Sequence, residues 1–173
     1  VIETNTNGCS GAQVDLAISL QGCALDANFT VSSTSVCSGS ALVFTDISTG
    51  TSESTSYSWD FGAGASPANA EGIGPHTVTY TGSGSSTVSL TITEGATDTE
   101  TKLNYITVNP LPEAGISGTT VVCEDDAFPL ITFTGSSGTA PYTFTYRING
   151  GEAQTVTTES GSSVTVAVPT GTP

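Results

Sequence analysis

The chain has 173 residues, of which 10% are charged, against about a quarter in an ordinary globular protein. Lys102 and Arg147 are the only basic residues against 16 acidic ones, for a net charge of -14. That balance excludes a phosphate-backbone partner, which needs clustered Lys and Arg, and an anionic membrane surface. The acidic surface is expected to serve solubility and mutual repulsion, with weak capture of divalent cations as the sharper alternative. Serine and threonine take the place of lysine and glutamate, and a chain full of Thr, Val, Gly and Ser reads as all-β. The length suits one large or two small domains. No apolar run approaches the roughly 18 residues of a membrane span, and no N-terminal signal is visible. Val1-Ile2-Glu3-Thr4 reads as mid-strand, so the chain is expected to be cut from something longer.

Taken in order, Val1–Thr6 and Gln13–Leu20 read as strands joined by the turn chemistry of Asn5-Thr6-Asn7-Gly8-Cys9. Two strands alone are marginal in water and need a partner sheet. Residues 24–109 read as a complete sandwich. Its strands are expected at Ala27–Val31, Ala41–Asp46, Thr55–Phe61, His76–Tyr80, Ser86–Thr93 and Thr99–Val108. Glycine- and serine-rich separators lie between them at Ser38–Ser40, Gly62–Pro67, Gly72–Pro75 and Gly82–Ser85. Short strands at this spacing argue a sandwich or barrel. Residues 110–112, Pro110-Leu111-Pro112, form a stiff linker. Beyond it, strands are expected at Gly118–Val122, Leu130–Thr134, Tyr142–Ile148, Ala153–Thr158 and Val164–Val168, with Asn149-Gly150-Gly151 as a hairpin turn. A sandwich needs about seven strands, so residues 113–173 are expected to be incomplete.

The densest signal is Tyr57-Ser58-Trp59-Asp60-Phe61-Gly62-Ala63-Gly64, which holds the only tryptophan. Period-two alternation places Tyr57, Trp59 and Phe61 on one inward face. Val88 and Leu90, from the clearest alternating strand, are expected to pack against them. Two glycines end the strand where the backbone must turn.

Three segments stand in order: Cys37-x-Gly39-x-x-x-Val43-Phe44-Thr45-Asp46-x-Ser48, then Tyr57-x-Trp59-Asp60-Phe61-Gly62, then His76–Tyr80 with Thr87–Ile92. Together they resemble the polycystic-kidney-disease (PKD) domain over roughly residues 26–109. The resemblance implies an immunoglobulin-like, antiparallel β-sandwich. The family usually writes Trp-Asp-Phe-Gly-Asp-Gly, and Ala63 stands where the second aspartate would be, so no ligand role is carried to this loop. The flanks resemble the immunoglobulin-like repeats of giant surface and secreted proteins of gliding Bacteroidota. Val122-Cys123-Glu124-Asp125-Asp126, Pro129–Gly135 and Pro141–Gly151 are similar to the first half of such a repeat. Glu3-Thr4-Asn5-x-Asn7-Gly8-Cys9 looks like the closing end of another. Residues 1–23 would then end a preceding repeat, 24–109 form the PKD-like unit, and 113–173 begin a following one.

Cys9, Cys23, Cys37 and Cys123 are the disulfide candidates and allow three full pairings. Their wide spacing speaks against zinc or thioredoxin-like chemistry. A Cys9–Cys23 bridge needs a fold-back, since the strand between them spans ~23 Å, and Cys23–Cys37 meets a similar difficulty. The related repeats imply an early cysteine paired with a late one. Cys9 would be a late cysteine and Cys123 an early one. Cys37 would lack its partner near Gly95-Ala96, and so be free and buried or captured by Cys23. In a polymer, strands of 1–20 could complete 113–173 of a neighbour, with a Cys9–Cys123 bridge within or between copies.

No catalytic constellation is visible. His76, the only histidine, shares a strand face with Val78 and Tyr80 and reads as a packed or hydrogen-bonded residue. No Gly-x-Ser-x-Gly elbow precedes a helix. Lys102 lies in a strand pattern rather than a phosphate loop. The acidic cluster Glu124-Asp125-Asp126 is the one calcium candidate, beside the plainer reading of a solvated turn, and no other cofactor is expected. Asn28-Phe29-Thr30 fits the N-glycosylation pattern but lies in an expected strand. The expectation is a non-enzymatic repeat of a secreted, cell-surface adhesin or filament. It would act as a stalk in adhesion or gliding, with neighbouring repeats as partners and surface polysaccharide or protein as a further one. The rival is a polymer-binding PKD module beside a secreted hydrolase.

Overall fold

The computed structural model describes residues 6–7, 24–118, 122 and 127–169. The described residues contain strands and no helix. In chain order the strands are β1 (Phe29–Val31), β2 (Ser35–Cys37), β3 (Ala41–Asp46), β4 (Ser56–Asp60), β5 (Ala65–Ser66), β6 (Asn69–Glu71) and β7 (His76–Tyr80). They continue with β8 (Gly84–Glu94), β9 (Ala96–Asn109), β10 (Glu113–Gly118), β11 (Leu130–Ser136), β12 (Thr143–Arg147), β13 (Ala153–Thr157) and β14 (Ser163–Ala167).

Nine strands build a two-layer sandwich. One sheet runs β1-β3-β7-β5 and the other β2-β9-β8-β4-β6. All neighbours are antiparallel except β2 and β9, which are parallel. Alternation explains the layering. In β4 the residues read exposed, buried, exposed, buried, exposed, and β8 buries Ser86, Val88, Leu90 and Ile92 in the same rhythm. Register sets Trp59 opposite Leu90 and Tyr57 opposite Ile92, so these side chains share the inner face. Across from them Phe29, Leu42, Phe44, Val78 and Tyr80 complete a continuous core. Its aromatics interlock edge-on or tilted across the layers, with ring centroids 5.5 Å apart for Phe29–Trp59 and 5.0 Å for Phe44–Phe61, while Trp59 and Phe61 stack at 5.8 Å.

Strand β9 is the longest, with 14 residues. At one end it forms a tight hairpin with β8 through Gly95, and at the other Asn109 leads into Pro110. At ~3.3 Å per residue it runs roughly 40 Å. Asp98, Glu100 and Lys102 stand opposite Ile92, Leu90 and Val88 on its inner face, half-buried at the margin of the core. Lys102 turns this margin into a clasp between the sheets. Its ammonium donates to Phe29 O at 2.5 Å and Asn28 Oδ1 at 3.1 Å, and lies 4.5 Å from the Phe29 ring centre.

Five further strands follow the prolines. β10, β11 and β14 form one antiparallel sheet, and β12 and β13 form a hairpin. Phe133 of β11 packs on Phe144 and Tyr146 of β12, with centroids 5.6 Å and 4.9 Å apart.

The all-β, antiparallel architecture is that expected from the sequence, and several boundaries are corrected. A strand that the sequence does not suggest, Glu113–Gly118, starts directly after Pro112 and pairs with β11 from Glu113↔Ser136 onward, while residues 119–121 of the expected Gly118–Val122 lie outside the described residues. Gly62–Pro67 is not a plain turn, since it contains β5. β2 and β6 lie where no strand is expected. The expected strands Val1–Thr6 and Gln13–Leu20 fall mostly or wholly outside the described residues.

Candidate functional site

The aromatic stretch is held from all sides. Trp59 is 1% exposed, and Phe61, Val88 and Leu90 are fully buried. Tyr57 is buried at the end of the same row. The Trp59 indole N–H donates to Gly72 O at 2.9 Å. His76 Nε2 lies 3.0 Å from the same oxygen, so the proton sits on Nε2. The His76 ring stands edge-on to Trp59 and Phe61, at 5.4 Å and 6.0 Å. His76 therefore spends its ring on packing and on one backbone carbonyl.

The turn after Phe61 is built just as tightly. Asp60 Oδ1 accepts the Gly62 N–H at 2.9 Å, and the Ser86 hydroxyl donates to Ala63 O at 2.6 Å. Gly62 has φ +78°, and a Cβ there would stand 2.3 Å from Thr87 O. Gly64 has φ +76°, and its Cβ would meet Thr81 O at 2.6 Å. Both positions require glycine for conformation and for space. Ala63 itself is exposed. Tyr80 closes the turn from below by donating to Phe61 O at 2.7 Å. Burial, with the Asp60 charge as a lesser cause, pushes the Tyr80 phenol up from 10.0 to about 12.

The other aspartate of the expected pattern acts locally. Asp46 Oδ1 accepts from Ser48 N at 3.1 Å and Ser48 Oγ at 2.5 Å, which fixes the end of β3. Glu94, near the β8–β9 hairpin, accepts from Ser52 Oγ at 2.6 Å, Ser52 N at 3.1 Å and the Thr55 hydroxyl. The Ser52 hydroxyl first, then Thr55, holds its carboxyl below the usual range. Asp98 Oδ2 accepts the Ala27 N–H at 2.7 Å. Each of these carboxylates caps backbone or hydroxyl donors, and no three His, Cys, Asp or Glu side chains among the described residues come together to hold a metal.

Cys37 ends β2, free and exposed. This corrects the free-and-buried alternative. It also removes the late position near Gly95-Ala96 as a partner. Cys37 is in register with Asn109, whereas Ala96 begins the far end of β9, roughly 40 Å away. Sequence could not show this, because β2 has a single buried residue, Val36, and no alternating run to locate it. Cys9, Cys23 and Cys123, and the calcium candidates Glu124, Asp125 and Asp126, lie outside the described residues.

Two concave features lie beyond the sandwich. A cavity of about 490 Å³ sits at the prolines, walled by Asn109, Pro110, Pro112, Glu113 and Tyr142 among others. The Tyr142 ring lies flat on the β11 backbone, where a Cβ on Gly135 would meet it at 2.5 Å. A shallower groove of about 390 Å³ runs between β10 and β12, lined by Ala114, Ile116, Phe133, Thr143, Phe144 and Tyr146.

An antiparallel β-sandwich with a dry aromatic core, carboxylates used as caps and a histidine bound to a carbonyl defines a binding or structural module. Residues 26–108 match the PKD domain family. No curated protein matches the chain. One similar solved structure is described as giving the structural basis for the promiscuous specificity of carbohydrate-binding modules from the β-sandwich superfamily. It is 22% identical with a TM-score of 0.44, over 66% of this chain and 56% of that one. A likeness at that identity and score carries no functional weight. Among the described residues no helix is long and apolar enough to cross a membrane.

Proposed function

We propose that the chain is a structural repeat segment of a large extracellular adhesin or filament, acting as a stalk in surface adhesion or gliding. In this reading residues 1–23 close a preceding repeat, 24–109 are the PKD unit, 110–112 the linker and 113–173 the start of the next repeat. One observation carries it. The chain enters the sandwich at Ala24 and Leu25, beside Gly50, Glu94 and Ala96, and leaves it at Asn109, the other end of β9. Entry and exit at opposite ends string units end to end, and Pro110 and Pro112 stiffen the joint. PKD domains are typically extracellular, which agrees with the low charge and the paucity of lysine. Small-angle scattering on the chain tests this. An elongated particle with a maximum dimension well beyond one sandwich supports a spacer, and a particle folded back on itself opposes it.

The second reading, a polymer-binding module beside a secreted hydrolase, draws on the cavity at the prolines, where Tyr142 offers an aromatic wall among polar groups. Retention on chitin, cellulose or collagen resins would favour it over the spacer.

A further inference from the structure

The clasp at Lys102 sets an amine against a carboxamide. Lys102 Nζ lies 3.1 Å from Asn28 Oδ1, one bond from the Asn28 side-chain carbonyl carbon, although the two residues are 74 apart in the chain. Both partners are held. Ser48 Oγ accepts from Asn28 N at 3.0 Å and donates to Asn28 O at 3.2 Å, which pins the Asn28 backbone. The Phe29 N–H donates to Asn28 Oδ1 at 2.8 Å and so orients the carboxamide. Lys102 Nζ donates to Phe29 O at 2.5 Å, with the Phe29 and Tyr105 ring centres 4.5 Å and 5.2 Å away. Phe29 is fully buried, and the Tyr105 ring stands edge-on to it at 5.7 Å. One side of the amine is therefore walled by aromatics.

A carboxylate completes the set. Ala27 N donates to Asp98 Oδ2 and Phe29 O accepts from Lys102, so residues 27–29 run alongside residues 98–102. Glu100 stands midway between these anchors, on the same half-buried face of β9, and this places it beside Asn28.

We propose that Lys102 and Asn28 join in an intramolecular isopeptide bond, with Glu100 carrying the protons. The hydrogen-bonded clasp is the state from which the bond forms, with the reacting groups already positioned. Lys102 Nζ passes a proton to Glu100 and attacks Asn28 Cγ. As the C–N bond forms, the charge developing on Oδ1 meets the Phe29 N–H that already points at it. The Cγ–Nδ2 bond then breaks, and Nδ2 takes up the two protons that Nζ gives up and leaves as ammonium. An ammonium and a carboxamide thus become a secondary amide and an ammonium ion, with no oxidant or reductant. The bond itself does not depend on the spacer reading, but its use does. In a stalk, tension entering ahead of Asn28 would cross to β9 through this amide and leave at Asn109, bypassing residues 29–101 and the core around Trp59.

Intact-mass spectrometry of the folded chain tests the proposal. The native chain should be lighter than its sequence by one ammonia, and tandem spectra should show a branched peptide joining the Asn28 and Lys102 segments. Trypsin gives a second readout, since Lys102 and Arg147 are its only targets. The denatured native chain should be cut at Arg147 and spared at Lys102. Lys102→Arg keeps the charge and the donors but cannot ligate, and should have its full mass, with an unchanged circular dichroism spectrum to show that it is folded. Its thermal midpoint should fall below that of the native chain, because no closed loop restricts the unfolded state. This loss comes in addition to that of the hydrogen bonds themselves. Glu100→Gln should slow ligation by roughly a hundredfold, read as the share of full-mass chain in fresh protein over time. A native chain of full mass that trypsin cuts at Lys102 overturns the proposal. So does an ammonia lost equally from Lys102→Arg, which would trace the loss to another site such as Asn149-Gly150. Ligation at the native rate in Glu100→Gln overturns the role of that carboxylate. Scattering tests the spacer and mass tests the bond, so either can fail alone.

Discussion

Trp59 and His76 share one acceptor: the indole N–H at 2.9 Å and the imidazole Nε2 at 3.0 Å both reach Gly72 O, with the rings 5.4 Å apart and edge-on. The shared carbonyl ties β4 and β7, which belong to opposite sheets, to the loop after β6. The motif that marks the family is thereby a fastening of the two layers.

Trp59→Ala removes both the packing and one of the two donors. A buried aromatic truncated to alanine costs ~3–5 kcal/mol, so the variant should show a midpoint in urea well below that of the native chain. Trp59→Phe keeps most of the apolar volume and loses the N–H, and should cost about 1 kcal/mol. A Trp59→Ala variant with native stability would mean that the indole is not part of the core.

The turn beyond it separates two kinds of position. Gly62→Ala drives a Cβ against the backbone oxygen of Thr87 at a φ of +78° and should destabilise strongly. Ala63→Asp restores the carboxylate usual in the family at an exposed site and should leave thermal unfolding within about 0.5 kcal/mol of native. Comparable losses in the two variants would contradict the steric account of this loop.

Much of the fold was legible because burial here follows a strict period of two. Ala41–Asp46 and His76–Tyr80 are strands over the residues their alternation marks. β2, β5 and β6 escaped because each is two or three residues long and takes its conformation from a longer neighbour. β10 escaped for a different reason. All six of its residues are exposed, so no alternation locates it, and its position comes from pairing with β11. At the aromatic site, sequence marked Trp59 and His76 separately. Their common partner, Gly72 O, is a backbone atom in a loop and leaves no pattern in side-chain chemistry. Lys102 was equally illegible, since its acceptors, Phe29 O and Asn28 Oδ1, lie more than 70 residues away in the chain.

Lys102 offers a test of that clasp. Lys102→Met keeps the stem but leaves Phe29 O and Asn28 Oδ1 without the ammonium, and a hydrogen bond from a charged group contributes about 1.5–3 kcal/mol when it is well buried. Lys102 is only half-buried, so a loss near 1 kcal/mol is expected after allowing for solvent. Amide exchange should quicken at Phe29–Val31 more than in β8. Uniform exchange across the sandwich would show that the lysine is a surface ornament of β9.

Alkaline pH should loosen the molecule through Tyr80. Its phenol is neutral in the fold and donates to Phe61 O, and burial raises its pKa from 10.0 to about 12. The unfolded chain therefore loses its proton first. The stability contributed by the neutral phenol is complete below pH 10.0 and is lost as pH rises through about 12. Tyr80→Phe removes this dependence while leaving Phe61 O without its donor, so the variant should be less stable at neutral pH by about 1–2 kcal/mol. Its stability relative to the native chain should then recover between pH 10.0 and about 12. Unfolding curves of both proteins at a series of pH values measure the difference directly. If the gap between them stays constant across that interval, the phenol of Tyr80 titrates in the fold as it does in water, and the turn above it is open to solvent.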